Sequence, residues 1–205
     1  MSDPLFDLLR KYFRFNLGLD NLPILASPRT GLDTGREQLA KVMNEMGFRD
    51  GVEIGTRHGG SAKIWCEAMP GLNLTCIDPY IGGQSRTQKH QDDAYENAKV
   101  HAKEFGFTLW KMTSREATSR IRDDSLDFIN IDGDHRFDVC VVDLIEYVPK
   151  VRKGGFILMH DYCVFKQAGT MKAIDSYTHC HRIDPWYVTR DREPTVFWQR
   201  GAEQL

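Results

Sequence analysis

The apolar positions of this chain change period near residue 51. Before that point "MSDPLFDLLRKYFRF" spaces them as an amphipathic helix does. Residues 1–50 therefore read as helical, with a turn-rich middle, "NLGLDNLPILASPRTGLD", where Pro23, Pro28 and Gly31 forbid a continuous helix. From residue 51 short apolar runs alternate with helical spacing. "GVEIG", "LNLTCID", "FTLWKM", "SLDFINID" and "GGFILMHD" read as strands, and "GSAKIWCEAM", "DDAYENAKVHAKEFG" and "SREATSRI" as the helices between them. In "RFDVCVVDLIEYVPKV" the positions Phe137, Val141, Leu144, Ile145 and Val148 follow a helical stripe. A last helix ends near Thr178, and "WYVTRDREPTVFWQR" reads as a hairpin closed by a solvated turn.

This alternation predicts an α/β fold with a doubly wound, mostly parallel sheet, helices on both faces and a C-terminal antiparallel hairpin. The expected division is an N-terminal helical cap over residues 1–35 and one catalytic-size domain over 36–205, a length sufficient for a single core. Trp65, Trp110 and Trp198 alternate with apolar neighbours and are expected inside.

Charge and composition narrow the function classes. A formal net charge of -2 gives no basic footprint for nucleic acid, and the longest apolar runs are too short to span a bilayer, so neither partner is expected. The N-terminus lacks the order of a signal peptide. Five cysteines without C-x-x-C spacing suit free thiols in a reducing cytoplasm.

The unusual polar residues all follow predicted strands: Glu53 and Gly55, Asp78, Thr113 and Ser114, Asp132 to His135, and His160 with Asp161. In a parallel sheet these positions line one rim, where ligands bind at the switch in strand order. "VEIGTRHGGSA" places Gly55, Gly59 and Gly60 between a strand and a helix, and Thr56 and Arg57 stand where a G-x-G-x-x-G loop would have its second glycine. Asp78, one strand later, is positioned to accept both hydroxyls of a ribose. Together the glycine turn and Asp78 point to a nucleoside site.

"VEIGTRHGGSA", "CIDPY", "FINIDGDH" and "GGFILMHDY", in this order, resemble the class I S-adenosylmethionine-dependent methyltransferases, nearest to the macrocin-type sugar O-methyltransferases. The resemblance runs from about residue 35 to the hairpin. It implies a Rossmann-like sheet of seven strands and methyl transfer from S-adenosylmethionine to a hydroxyl of a small-molecule acceptor. It also implies that Glu53, Gly55, Thr56 and Gly59 hold the methionine end of the cofactor, Asp78 the ribose, and Thr113 and Ser114 the adenine. Asp132 lies beside the cofactor and matches a metal-binding carboxylate, Asp161 matches the last acidic ligand, and His135 matches a general base.

A sugar hydroxyl is a poor nucleophile at neutral pH, and a cation such as Mg or Mn, or an imidazole, supplies the activation. His160 departs from the family pattern, which has oxygen ligands at that place. Either the metal differs, His160 points elsewhere, or none binds. Asp134 is equally suited to cap the following helix, and His135 to sit at its start. The loops 79–91 and 162–169, with the N-terminal segment, are expected to roof the acceptor site, and a homo-oligomer is allowed. The rival readings are an NAD-dependent oxidoreductase and a cofactor-binding module without catalysis.

Overall fold

A computed structural model of the chain describes residues 3–16, 24–29, 35–83, 86–163 and 169–201. Strands β3 (Asp50–Ile54), β4 (Asn73–Ile77), β5 (Thr108–Trp110), β6 (Leu126–Ile131) and β7 (Val151–Met159) run parallel. Between them lie α3 (Gly60–Ala68), α4 (Gln88–Phe105), α5 (Ser114–Thr118) and α6 (Phe137–Tyr147). After α7 (Gly169–Cys180), β8 (Tyr187–Thr189) and β9 (Val196–Gln199) form the expected antiparallel hairpin, with β9 antiparallel to β7.

The N-terminal segment differs from the helical expectation. Helix α1 (Pro4–Tyr12) forms and is capped by Asp3, whose carboxylate accepts from the Leu5 amide. The chain then turns into β1 (Phe13–Asn16) and β2 (Ile24–Pro28), which pair antiparallel, and β2 lies parallel to β8. Burial of Phe13 and Ala26 against the apolar layer outweighs local propensity here. Helix α2 (Gly35–Glu45) follows. Among the described residues nine strands form one sheet, β1-β2-β8-β9-β7-β6-β3-β4-β5, so two strands extend the seven implied by the resemblance.

Strand alternation builds two apolar layers. Val52, Ile54, Ile129, Ile131, Ile157 and Met159 face one way, onto α6 and α7. Phe128, Phe156 and Leu158 face the other, onto Leu39, Met43 and Trp65 of α2 and α3. Helix α6 corrects the predicted stripe. Leu144 and Val148 are buried, but Phe137 and Ile145 are 41% and 56% exposed, and the inward side is Cys140, Asp143, Leu144 and Tyr147. Packing against both α5 and α7 turns the helix by about one residue from the most apolar direction. Trp65 and Trp198 are fully buried, and Trp110 is half-buried.

One carboxylate interrupts the second layer. Glu53 is fully buried, opposite Asn130 in the register, and accepts from Trp65 Nε1 at 2.9 Å and Asn130 Nδ2 at 3.1 Å. Its Oε1 has no partner among the described residues. Burial pushes this carboxyl up to about 7, against the pull of Arg36. The unfolded chain releases the same proton near the ordinary 4.5, so stability falls as pH rises between these two values. The full cost, present above the folded value, is roughly 3 kcal/mol. Glu53→Gln is expected to flatten this slope in urea unfolding compared at about pH 5 and about pH 8. Equal losses in wild type and variant would show that another group carries the proton.

Candidate functional site

Strand order reverses between β3 and β6, and at that switch the chain makes its closest crossing. Gly55 has φ +88°, and a Cβ there would lie 2.0 Å from the Asp132 carbonyl oxygen. Only glycine allows the turn after β3 to pass so near the end of β6. The Asp132 amide donates to Ile54 O and the Gly55 amide to Ile77 O, both at 2.8 Å, which locks the three strand ends together. Gly59 is also left-handed and caps α3, and a Cβ on Gly60 would meet nothing within 4 Å. The backbone at the start of α3 is therefore open to a ligand.

These turns border a cavity of about 620 Å³ at the carboxyl ends of the strands, a volume suited to a small organic ligand. Of the residues predicted from sequence, Gly55, Thr56, Asp78, Thr113, Ser114, Asp132, His135, His160 and Asp161 border it. Glu53 does not. It lies beneath the turn, bound to Trp65 and Asn130, and Gly59 is likewise absent from the lining.

Asp78 is held in place by two amides. Oδ2 accepts from Arg57 N and Oδ1 from Tyr80 N, each at 2.9 Å, so each oxygen keeps lone-pair capacity for a further donor. Thr113 has a different task. Its hydroxyl accepts from the Glu116 amide and donates to the Glu116 carboxylate, closing a capping box on α5. Ser114 Oγ donates to Asp143 Oδ1 at 2.6 Å.

On the opposite side the carboxylates converge. One ligand atom from each of Asp132, His135 and Asp161 lies within 4.8 Å of the others. His135 Nε2 is 2.9 Å from Asp161 Oδ2. His160 Nδ1 is 3.5 Å from Asp132 Oδ1 and 3.2 Å from Asp161 Oδ1. Asp161 has φ +62°, a conformation that Asp tolerates better than most residues. Burial acts to lower His160, but Asp132 and Asp161 together outweigh it and push the imidazole up to about 9. The two carboxylates on either side of it thus favour its protonated form. Asp134 does not cap α6, whose N-cap is Arg136; it accepts from the Arg136 amide and pairs with its guanidinium.

Arg36, Asp143 and Glu193 are among the site residues that sequence reasoning did not single out. Arg36, in the first turn of α2, borders the cavity, bonds Ser61 Oγ and lies 3.6 Å from Asp132 Oδ2. Asp143 borders it from α6, where it looks like a polar interruption of a helix. Glu193 reaches it from the hairpin turn, and the neighbouring Asp191 accepts from the Gly35 amide at 2.7 Å. That turn is thus part of the site rather than a solvated end. Arg36 and Glu193 carried no motif; Asp143 could have been flagged as a carboxylate on the buried stripe of an apolar helix.

Known proteins are similar to this chain. An uncharacterised protein of Acanthamoeba polyphaga mimivirus is 32% identical over 118 residues, 54% of this chain and 50% of that protein. The chain spans half or less of the length of the curated relatives it matches. An O-methyltransferase from Bacillus cereus, solved in complex with S-adenosylhomocysteine, superposes with a TM-score of 0.61 at 14% identity, over 83% of this chain and 84% of that one. The O-methyltransferase TomG from Streptomyces achromogenes, solved with S-adenosylmethionine, gives 0.58 at 13%, over 81% and 79%. At these identities the likeness shows a common fold. A family model described as a methyltransferase domain matches residues 52–162, from β3 to the rim beyond β7. With more than half of its length matched, the chain belongs to the methyltransferase-domain family.

Proposed function

We propose that this protein transfers a methyl group from S-adenosylmethionine to a hydroxyl of a small molecule, a sugar being the class suggested by its motifs, with help from a divalent cation. The observation that carries this reading is the convergence of Asp132, His135 and Asp161 on the rim of a cavity whose other wall is the glycine turn and Asp78. The solved neighbours from Bacillus cereus and Streptomyces achromogenes were captured with the cofactor or its product. The reading includes a cytoplasmic setting, supported by five unpaired cysteines. No described helix is long and apolar enough to cross a membrane.

Asp78 would receive the ribose hydroxyls on its free lone pairs, and Gly60 and Ser61, which border the cavity at the start of α3, would lie against the methionine end. Arg36, which borders the cavity and lies 3.6 Å from Asp132, would bring a guanidinium to the methionine carboxylate. Two carboxylates offer oxygen ligands to a divalent ion such as Mg or Mn. Asp132 and Asp161 would hold the cation, with the protonated His160 as their counter-charge. When bound, the cofactor supplies an electrophilic methyl group and the cation supplies Lewis-acid activation of the acceptor hydroxyl. His135, with its ring edge on Asp161 and its side chain about one-third exposed, takes the proton of that hydroxyl. The same convergence favours a second reading, in which His135 is a third metal ligand.

Calorimetric titration of S-adenosylhomocysteine is expected to show micromolar binding, with NAD giving no heat. Asp78→Ala should weaken it by about 100-fold, the loss of two hydrogen bonds to a charged acceptor. Unchanged affinity in the variant would remove Asp78 from the cofactor site. Asp132→Ala should lower turnover at least ~100-fold while leaving cofactor affinity within a few-fold. Full activity in that variant would overturn its assignment. His135→Gln separates the two readings. As a base it loses rate with Mn affinity kept, and as a ligand it loses Mn affinity measured in the absence of turnover.

A further inference from the structure

Two arginines that border the cavity have no part in the reaction outlined above. Arg57 follows the glycine turn with His58 beside it, and Arg86 stands in the loop before α4. The backbone pins Arg57 in place. Its amide donates to Asp78 Oδ2 and its carbonyl accepts from the Tyr80 hydroxyl at 3.0 Å, and these bonds hold a left-handed φ of +49°. From α4, His101 donates its Nδ1–H to His58 O at 2.8 Å. The groups are close enough to act on one another. Burial first, and then the charges of Arg57, Arg86 and His101, hold the His58 imidazole below its ordinary value.

No negative charge answers this corner. The two other arginines that border the cavity each face a carboxylate, Arg36 with Asp132 and Arg136 with Asp134. Among the described residues no carboxylate forms an ion pair with Arg57 or Arg86, and Asp78 gives its oxygens to the amides of Arg57 and Tyr80. We infer that the acceptor carries a phosphate group, which Arg57 and Arg86 hold while its hydroxyl lies at Asp132. The assignment rests on the S-adenosylmethionine reading and adds the acceptor's class, a phosphorylated small molecule. Two guanidinium charges match a dianion, and their planar forks fit its oxygens; a carboxylate would leave one charge unanswered. The spacing is short. Arg57 is two residues from Gly55, which crosses over the Asp132 carbonyl, so at most about 7.6 Å separates their α-carbons. One small molecule spans that interval.

The test is a calorimetric titration of inorganic phosphate into the full chain saturated with S-adenosylhomocysteine, at low ionic strength. Wild type is compared with the double variant Arg57→Gln/Arg86→Gln and with Arg122→Gln, an exposed arginine outside this cavity. Wild type is expected to bind phosphate, the double variant at least ~10-fold more weakly, and Arg122→Gln as wild type does. No phosphate binding by wild type would overturn the assignment and leave the cofactor reading intact. An equal loss in Arg122→Gln would show general attraction of anions and overturn it too. The methionine carboxylate is the other oxyanion within reach, so S-adenosylhomocysteine is compared with 5′-methylthioadenosine, which lacks it. Both should bind the double variant as they bind wild type. A loss confined to S-adenosylhomocysteine would give the two arginines to the cofactor's carboxylate and overturn the acceptor assignment. If S-adenosylhomocysteine does not bind wild type, the cofactor reading falls and this assignment falls with it.

Discussion

The site depends on one steric fact, the crossing of the turn after β3 over the end of β6. With no side chain at Gly55, the Asp132 carbonyl can sit where a Cβ would be, and three strand ends are bonded into one edge. Asp78 follows one of those strands and Asp132 another, so their separation is fixed by strand spacing rather than by loop conformation. His160 extends the edge further, because its amide donates to Ile131 O and carries the ladder one residue past β7. A side chain at position 55 would have to push β6 away, and the ribose acid and the rim carboxylates would then no longer share one wall.

Charge balance explains how so many carboxylates tolerate each other there. Asp132 and Asp161 have His160 between them as an imidazolium, and Arg36 approaches Asp132 from α2. Glu53, one layer below, has only neutral donors and stays near the boundary of ionisation. The difference is one of partners as much as depth. Asp161 is nearly as buried as Glu53, but it faces two histidines.

The parallel core was legible because each of its strands is a short apolar run ended by a polar residue, and helices of matching period lie between. β1 and β2 were not, because their burial comes from packing on β8 and the α2 face, which no local pattern records. The rim residues were legible for the same reason as the strands: a carboxylate just past an apolar run is conspicuous. Glu53 was misplaced because strand alternation puts it on the α3 face, under the turn, while Gly55 and Thr56 reach the cavity. Thr113 borders the cavity, and its spacing to Glu116 also spelled the capping box that its hydroxyl closes. Arg36 and Glu193 come from elements far apart in sequence, and only the folded chain brings them to one cavity.

The Asp191–Gly35 hydrogen bond joins residues 156 apart and seats the first turn of the helix that carries Arg36. During synthesis at the ribosome, β3 to β6 can pair as they emerge, but the amide of Gly35 waits for the hairpin. Until then the part of the cavity wall that Glu193 brings from the hairpin turn is missing. A nascent chain can therefore own its five parallel strands and still lack a finished binding site. The interval between these two states is when a folding helper, or a quality-control protease, would find the chain least protected.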